Sequence, residues 1–182
     1  MQNLFGMDDY QLYPSKSWQM EDGPSKSDME KIFDPHQGVV RNRVISSSKY
    51  SNIDYVDISI FYSGLGYWLN KKPYLIPRDG KKLDASSYVS LEDILLNLSK
   101  LSVLENINSI TIYLDVKYIN FEESIENYKY PELSKKFCLL ASSSSKETSI
   151  EIDDMRHSVF SYFLMRGLKG DAYGDDKILE IG

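Results

Sequence analysis

The stretch DISIFYSGLGYWLNKKPYLIPRDG, residues Asp57–Gly80, decides the fold that the sequence predicts. It opens on β-branched and aromatic residues, and this run predicts a central strand over Val56–Tyr62. The run stops at Ser63, and Leu65 then stands between two glycines. We interpret Ser63–Gly66 as a loop that leaves the strand and carries an apolar side chain at its tip. Because such tips usually carry polar or reactive groups, the presence of a leucine there needs an explanation.

The composition is that of a globular protein and limits its partners. The chain has 182 residues, so we expect a single domain over residues 1–182. A net charge of −6 argues against a nucleic-acid partner, which needs a basic face. Neither an N-terminal apolar leader nor a bilayer-spanning apolar run of ~20 residues is present, so no membrane partner is expected. Cys138 is the only cysteine, which excludes an intramolecular disulfide and favours a reducing, cytoplasmic setting.

Beyond the first strand, the sequence predicts two further central strands and two amphipathic helices. Ser90 can cap the first of these helices, whose leucine-rich stripe recurs at helical spacing. The predicted elements are a helix over Leu91–Leu104 (stripe Leu91, Ile94, Leu95, Leu98 and Leu101), strands over Ser109–Asp115 and Lys136–Ala141, and a helix over Ser158–Arg166 (inward residues Val159, Phe160, Phe163 and Leu164).

The first 53 residues give weaker signals. Asn3–Met7 and Val39–Ile45 are predicted as short strands, and Ser46–Ser51 as a polar loop. The sequence of Ser27–Glu30 resembles a capping box that opens a short helix, and Pro35 ends this helix.

Strands that alternate with helices predict an α/β fold with a mostly parallel sheet. In such sheets the functional groups gather at the carboxyl ends of the strands. Ser63–Gly66 and Asp115–Tyr118 would then lie at one edge of the sheet. Because the two segments follow neighbouring strands, they are expected to face each other.

Five segments resemble the caspase-like peptidases in their order and spacing, and the resemblance is closest to bacterial caspase-family and metacaspase-type proteins. The segments are DYVDISIFYSGLG, YLIPRDG, ITIYLDVK, LLASSSSKETSIE and HSVFSYFLMRGLKGDAYGDDKI. The match is good over residues 54–182 and divergent over residues 1–53. It implies a caspase-like three-layer α/β/α sandwich with a mostly parallel central sheet, shortened at both ends.

The resemblance also implies where a catalytic pair would stand. In the family the first loop reads Ser-Gly-His-Gly and the second reads Asp-x-Cys; here Leu65 occupies the histidine position and Lys117 the cysteine position. The family's chemistry uses a thiolate to attack a peptide carbonyl while an imidazole manages protons. Leucine and lysine supply neither group, so no catalytic residue is intact and the resemblance implies a pseudopeptidase.

Part of the family's substrate pocket survives in the sequence. Asp115 stands where metacaspase-type members receive a basic P1 side chain through charge-assisted hydrogen bonds. Lys117 either masks this carboxylate or points to solvent, and both alternatives stay open. The remnant of the pocket consists of Ser63, Gly64, Gly66, Asp115, Ser142 and Ser143.

Two other functions compete with the pseudopeptidase. One is a cysteine-type endopeptidase that cleaves after basic residues with a non-standard nucleophile, for which Cys138 is the only thiol. Its place in a predicted strand favours a buried core residue instead, and neither His36 nor His157 has a sequence reason to meet it. The other competing function is that of a partial or decayed domain.

No cofactor is expected, although weak calcium binding at acidic loops is left open. The sequence lacks a His/Cys ligand set for zinc, and its acidic clusters lack the spacing of an EF-hand. We expect a protein or peptide partner, for which an active caspase homologue is one candidate. The acidic clusters are Glu147, Glu151, Asp153 and Asp154, and Asp171, Asp175 and Asp176.

Overall fold

The chain divides into two compact units. The computed structural model describes residues 23–50, 55–120, 129–142, 151–152 and 157–168. One unit comprises Gly23–Thr148, and the other comprises Met1–Asp22 with Ser149–Gly182. The predicted strand over Asn3–Met7 lies outside the described residues.

The larger unit, Gly23–Thr148, holds three α-helices and five strands among its described residues, and the smaller unit holds one α-helix and two strands among its own. The elements of the larger unit are α1 (Lys26–Phe33), α2 (Val39–Tyr50), β1 (Val56–Leu69), β2 (Lys72–Leu75), β3 (Val89–Ser90), α3 (Leu91–Leu101), β4 (Ile107–Tyr118) and β5 (Phe137–Ala141). Those of the smaller unit are β6 (Glu151–Ile152), β7 (His157–Ser158) and α4 (Val159–Leu168).

A five-stranded mixed sheet organises the larger unit. Its strand order is β3-β2-β1-β4-β5. β4 runs parallel to both β1 and β5, while β2 and β3 add antiparallel strands beyond β1. The parallel ladders contain most of the paired residues, so the predicted α/β class with a mostly parallel sheet is confirmed.

The core of this unit lies on one face of the sheet. Alternate residues of β4, including Ile110, Ile112 and Leu114, are buried against side chains of α1, α2 and α3. The stripe of α3 is buried as predicted, and the Ser90 hydroxyl accepts a hydrogen bond from the Asp93 amide at 3.2 Å. Helix α3 ends at Leu101, three residues earlier than predicted.

The prediction of a strand over Val39–Ile45 is wrong, because these residues belong to α2. The helix continues to Tyr50 and so also replaces most of the predicted polar loop. Val40 and Val44 are one helical turn apart and both contact the core, which explains why this segment forms a helix.

The capping box of α1 starts at Ser25, two residues before the predicted one. The Ser25 hydroxyl accepts from the Asp28 amide at 3.1 Å, and the Asp28 carboxylate accepts from the Ser25 amide at 3.0 Å. The Ser25 hydroxyl also donates to the Asp28 carboxylate at 2.7 Å, and this hydrogen bond together with that from the Ser25 amide holds the pKa of Asp28 below its usual value. The prediction of Ser27 as the cap is therefore wrong, while the helix does end before Pro35.

Two predicted strands are longer than expected. In addition, two side chains that were predicted to be buried are exposed. β1 continues to Leu69 and β4 to Tyr118, so both predicted site loops are strand segments. Cys138 is exposed because its neighbours on β5 turn to the core, which leaves the thiol on the other face. Phe163 of α4 is also exposed, contrary to the prediction.

The described helices of both units are too short or too polar to cross a membrane.

Candidate functional site

The two segments that the sequence singles out are direct neighbours in the sheet. β1 and β4 are parallel, and Ser63–Gly66 pairs residue by residue with Asp115–Tyr118. The aligned pairs are Ser63 with Asp115, Gly64 with Val116, Leu65 with Lys117, and Gly66 with Tyr118. The expectation that the segments face each other is thereby confirmed, although they do so as paired strands.

Leu65 and Lys117 leave the sheet on the same face. Residues aligned across a parallel ladder share a face, and successive residues alternate between faces. Val116 and Tyr118, on either side of Lys117, are buried in the core. Lys117 and Leu65 therefore project from the opposite face, where Lys117 is exposed and 45% of the Leu65 surface is accessible to solvent. We call this face, as defined by Ser63, Leu65, Asp115 and Lys117, the outer face.

Asp115 is the buried member of the outer face, with 5% exposure. It is aligned with Ser63, which is exposed. It also lies two residues before Lys117 on the same face of β4, a separation of about 6.6 Å along the strand. A buried carboxylate thus lies within the reach of a lysine side chain and beside an exposed hydroxyl.

The glycines of the SGLG segment provide space for neighbouring side chains and do not form a turn. Both lie within β1, and neither adopts the left-handed conformation that favours glycine. A Cβ at Gly66 would lie 2.6 Å from Val116 Cγ1 and from Tyr118 Cε1. A Cβ at Gly64 would lie 2.9 Å from the Tyr62 hydroxyl. The sequence signal that predicted a loop is therefore a packing requirement.

Tyr62 fills the space beside Gly64 on the core face. Its hydroxyl donates to the Ile76 carbonyl at 3.4 Å. Burial raises the pKa of Tyr62 to about 12, since the phenolate would be poorly solvated there. The phenol is therefore neutral at physiological pH and does not act as a base next to the outer face.

Ser142 connects the end of β5 to the site. Its amide donates to the Leu114 carbonyl at 2.7 Å, and its hydroxyl accepts from the Val116 amide at 3.2 Å. The hydroxyl thus satisfies the backbone N–H of Val116, the residue immediately before Lys117. This third predicted site segment therefore meets the segment on β4, whereas Ser143 lies outside the described residues.

Asn120 extends the paired frame, and the sequence reasoning missed it. Its side-chain amide donates to the Trp68 carbonyl at 2.6 Å, and its side-chain oxygen accepts from the Trp68 amide at 2.8 Å. The side chain therefore mimics one residue of a strand. An asparagine after a strand is more typical of a turn, so the sequence offers no signal for this role.

The candidate replacement nucleophile lies far from Lys117. Cys138 is aligned with Thr111 of β4, six residues before Lys117, which is about 20 Å along the strand. His36 lies in the turn between α1 and α2, and His157 lies in β7 of the smaller unit.

Among the described residues, no group of three or more His, Cys, Asp or Glu side chains is placed to hold a metal ion. The acidic clusters proposed for weak calcium binding fall outside the described side chains.

No protein-family model matches the chain, and a search of curated proteins found no match either.

Proposed function

We propose that the chain is a catalytically inactive caspase-like domain that acts by binding a protein or peptide. The alignment of Leu65 with Lys117 carries the proposal. The resemblance assigns these two positions to a histidine and a cysteine, and such a pair needs side chains that leave neighbouring points on one face. The arrangement supports a site frame that is kept while its reactive groups are replaced.

The replaced groups cannot perform the family's chemistry. The aliphatic side chain of Leu65 neither takes nor gives a proton. A lysine ammonium has no lone pair with which to attack a peptide carbonyl. This site could therefore bind an extended peptide but could not cleave it.

Asp115 is the group that would recognise the peptide, through a basic side chain. Its carboxylate is buried, and a desolvated carboxylate forms strong charge-assisted hydrogen bonds with a guanidinium or ammonium. Lys117 lies on the same face, so an incoming basic side chain competes with Lys117 for the carboxylate. We therefore propose that Lys117 weakens basic-peptide binding without abolishing it.

Calorimetric titration of the full chain with an Arg-ended peptide tests the binding site. Asp115→Asn is expected to lower the affinity at least roughly tenfold, and Lys117→Ala is expected to raise it. Lys82→Ala, at an exposed lysine of the loop after β2, is the matched control and should change nothing. Unchanged affinity in Lys117→Ala would refute the masking role. Absence of wild-type binding, or unchanged affinity in a folded Asp115→Asn variant, would refute the binding site.

The alternative, an endopeptidase that cleaves after basic residues, needs Cys138 as its nucleophile. The exposure of this thiol favours reactivity, but its distance from Lys117 separates it from the site frame. We therefore expect no turnover of fluorogenic Arg- or Lys-ended peptides, with or without calcium. Turnover that disappears in Cys138→Ala would establish the alternative.

A third reading, the decayed domain, predicts a chain without cooperative unfolding. The continuous core of the larger unit supports an ordered domain instead. We further propose a cytoplasmic setting, where an exposed cysteine stays reduced, and an active caspase homologue as one candidate partner.

A further inference from the structure

The edge strand β5 offers an open row of backbone groups. It is the last strand in the order of the five-stranded sheet, and no strand within the described part of the chain pairs with its free side. The opposite edge, β3, is only two residues long and offers little to pair with. β5 is therefore the edge at which this sheet can grow.

Two hydrogen bonds fix which backbone groups of β5 point outward. The Ile110 amide donates to the Lys136 carbonyl at 2.8 Å, and the Ser142 amide donates to the Leu114 carbonyl at 2.7 Å. Because alternate residues of a parallel strand bond to the same neighbour, the even-numbered residues of β5 serve β4. The amide and carbonyl of Leu139, and those of Ala141, therefore point to the free side.

This edge lacks the usual protection against pairing. Edge strands are commonly blunted by charged residues, prolines or bulges. The segment Phe137–Ala141 reads FCLLA and has neither charge nor proline. The neighbouring Lys136 does not guard the edge, since its ammonium donates to the Ile107 carbonyl at 2.6 Å and is thus directed toward β4.

We propose that β5 pairs antiparallel with β5 of a second copy of this chain, centred on Leu139. Both the amide and the carbonyl of Leu139 point outward, so the two copies exchange two hydrogen bonds at the symmetry axis. The pairing is self-complementary in size and charge, and it joins two sheets into one. It aligns Leu139 with its own copy, Phe137 with Ala141, Cys138 with Leu140, and Lys136 with Ser142.

The complementarity has two parts. The bulky Phe137 lies beside the small Ala141, and Lys136 is aligned with the uncharged Ser142 instead of with another lysine. A ladder of five residues buries less than the roughly 1,200 Å² of a standard interface, so the dimer is weak and concentration-dependent. The proposal concerns the free side of β5 and does not rest on peptide binding at Asp115.

Cys138 makes the pairing measurable in the protein as it exists. It is the only cysteine and is exposed. In the proposed register the two Cys138 residues lie diagonally, about 7–8 Å apart between Cα atoms, beyond the usual range of a disulfide. A short bis-maleimide spans this gap. We expect it to trap a covalent dimer of the wild-type chain, with a yield that rises with protein concentration, and to trap none in Cys138→Ser.

Light scattering with two variants of Ala141 completes the test. Ala141→Pro removes an outward N–H, a change that edge strands tolerate, while Ala141→Ser keeps both the N–H and a small side chain. The wild-type chain and Ala141→Ser should both form dimers within the concentration range up to about 1 mM, and Ala141→Pro should dimerise at least roughly tenfold more weakly. A wild-type chain that is monomeric throughout, or a folded Ala141→Pro that dimerises equally well, would overturn the proposal. The bis-maleimide result on the wild-type chain decides the matter if Ala141→Pro fails to fold.

Discussion

Leu65 lies directly across the parallel ladder from Lys117, and both side chains leave the sheet on the outer face. The pair is framed by two glycines on β1 and by the buried Val116 and Tyr118 on β4. The geometry explains why Leu65 stands between glycines. The glycines make room for the neighbouring core side chains, while Leu65 points the other way.

Gly66→Ala should destabilise the larger unit. The added Cβ would meet Val116 and Tyr118 side-chain atoms at 2.6 Å, a distance that forces these side chains or their strand to shift. We expect a loss of about 1–3 kcal/mol, measured by urea unfolding. Gly23→Ala is the control, because its Cβ has no neighbour within 4 Å, and it should stay within about 0.5 kcal/mol of the wild type. Equal stability of the two variants would show that the strands are not packed this closely.

Ser25→Ala should destabilise the start of α1. The substitution removes the hydroxyl that accepts from the Asp28 amide, at a typical cost of about 1 kcal/mol. Ser27→Ala, at an exposed position inside the first turn, is expected to cost little. If thermal melts rank the two variants in the opposite order, the cap is Ser27, as the sequence pattern indicated.

Tyr62 should make stability fall in alkaline solution. Its pKa is about 12 in the folded chain and near 10 in an unfolded one, so the folded state retains a proton that the unfolded state loses. The contribution is intact below about pH 10 and is lost as the pH rises towards 12. The urea midpoint should therefore fall less between about pH 9 and 11.5 in Tyr62→Phe than in the wild type. The exposed Tyr55→Phe serves as control, and an identical alkaline loss in both variants would contradict the burial of the Tyr62 phenol.

Local signals that agree with one another predicted α3 well. Ser90 caps the helix, and the stripe that includes Leu91 and Leu98 has both helical spacing and a buried environment. In α2 the signal is weak, since Val39–Ile45 resembles a strand that Arg41 and Arg43 interrupt. Only the contacts that α2 makes with the core select the helix, and the sequence does not display those contacts.

The sequence predicted that the two site segments lie next to each other, but it did not predict that both are parts of strands. Serine and glycine end a β-prone run, so Ser63–Gly66 resembled a loop until the space taken by Val116 and Tyr118 was known. The sequence also did not indicate on which face of the sheet the Cys138 side chain lies. A short apolar run such as FCLLA does not specify which of its two faces turns to the core, and a shift of one residue exchanges them.

Rebuilding the family's pair tests the central claim, that positions 65 and 117 form the frame of a lost dyad. In a Cys138→Ser background, Lys117→Cys is combined with Leu65→His or with Ser59→His. Ser59 is exposed and lies on the same face, but it is aligned with Thr111, about 20 Å along the strand.

The measurement is the rate at which iodoacetamide alkylates the introduced thiol near neutral pH. An adjacent imidazolium favours the thiolate, so we expect Leu65→His to raise the rate roughly tenfold and to lower the apparent pKa of the thiol. Ser59→His should leave both unchanged. Equal rates in the two combinations would contradict the claim that Leu65 and Lys117 stand where a histidine and a cysteine could work together.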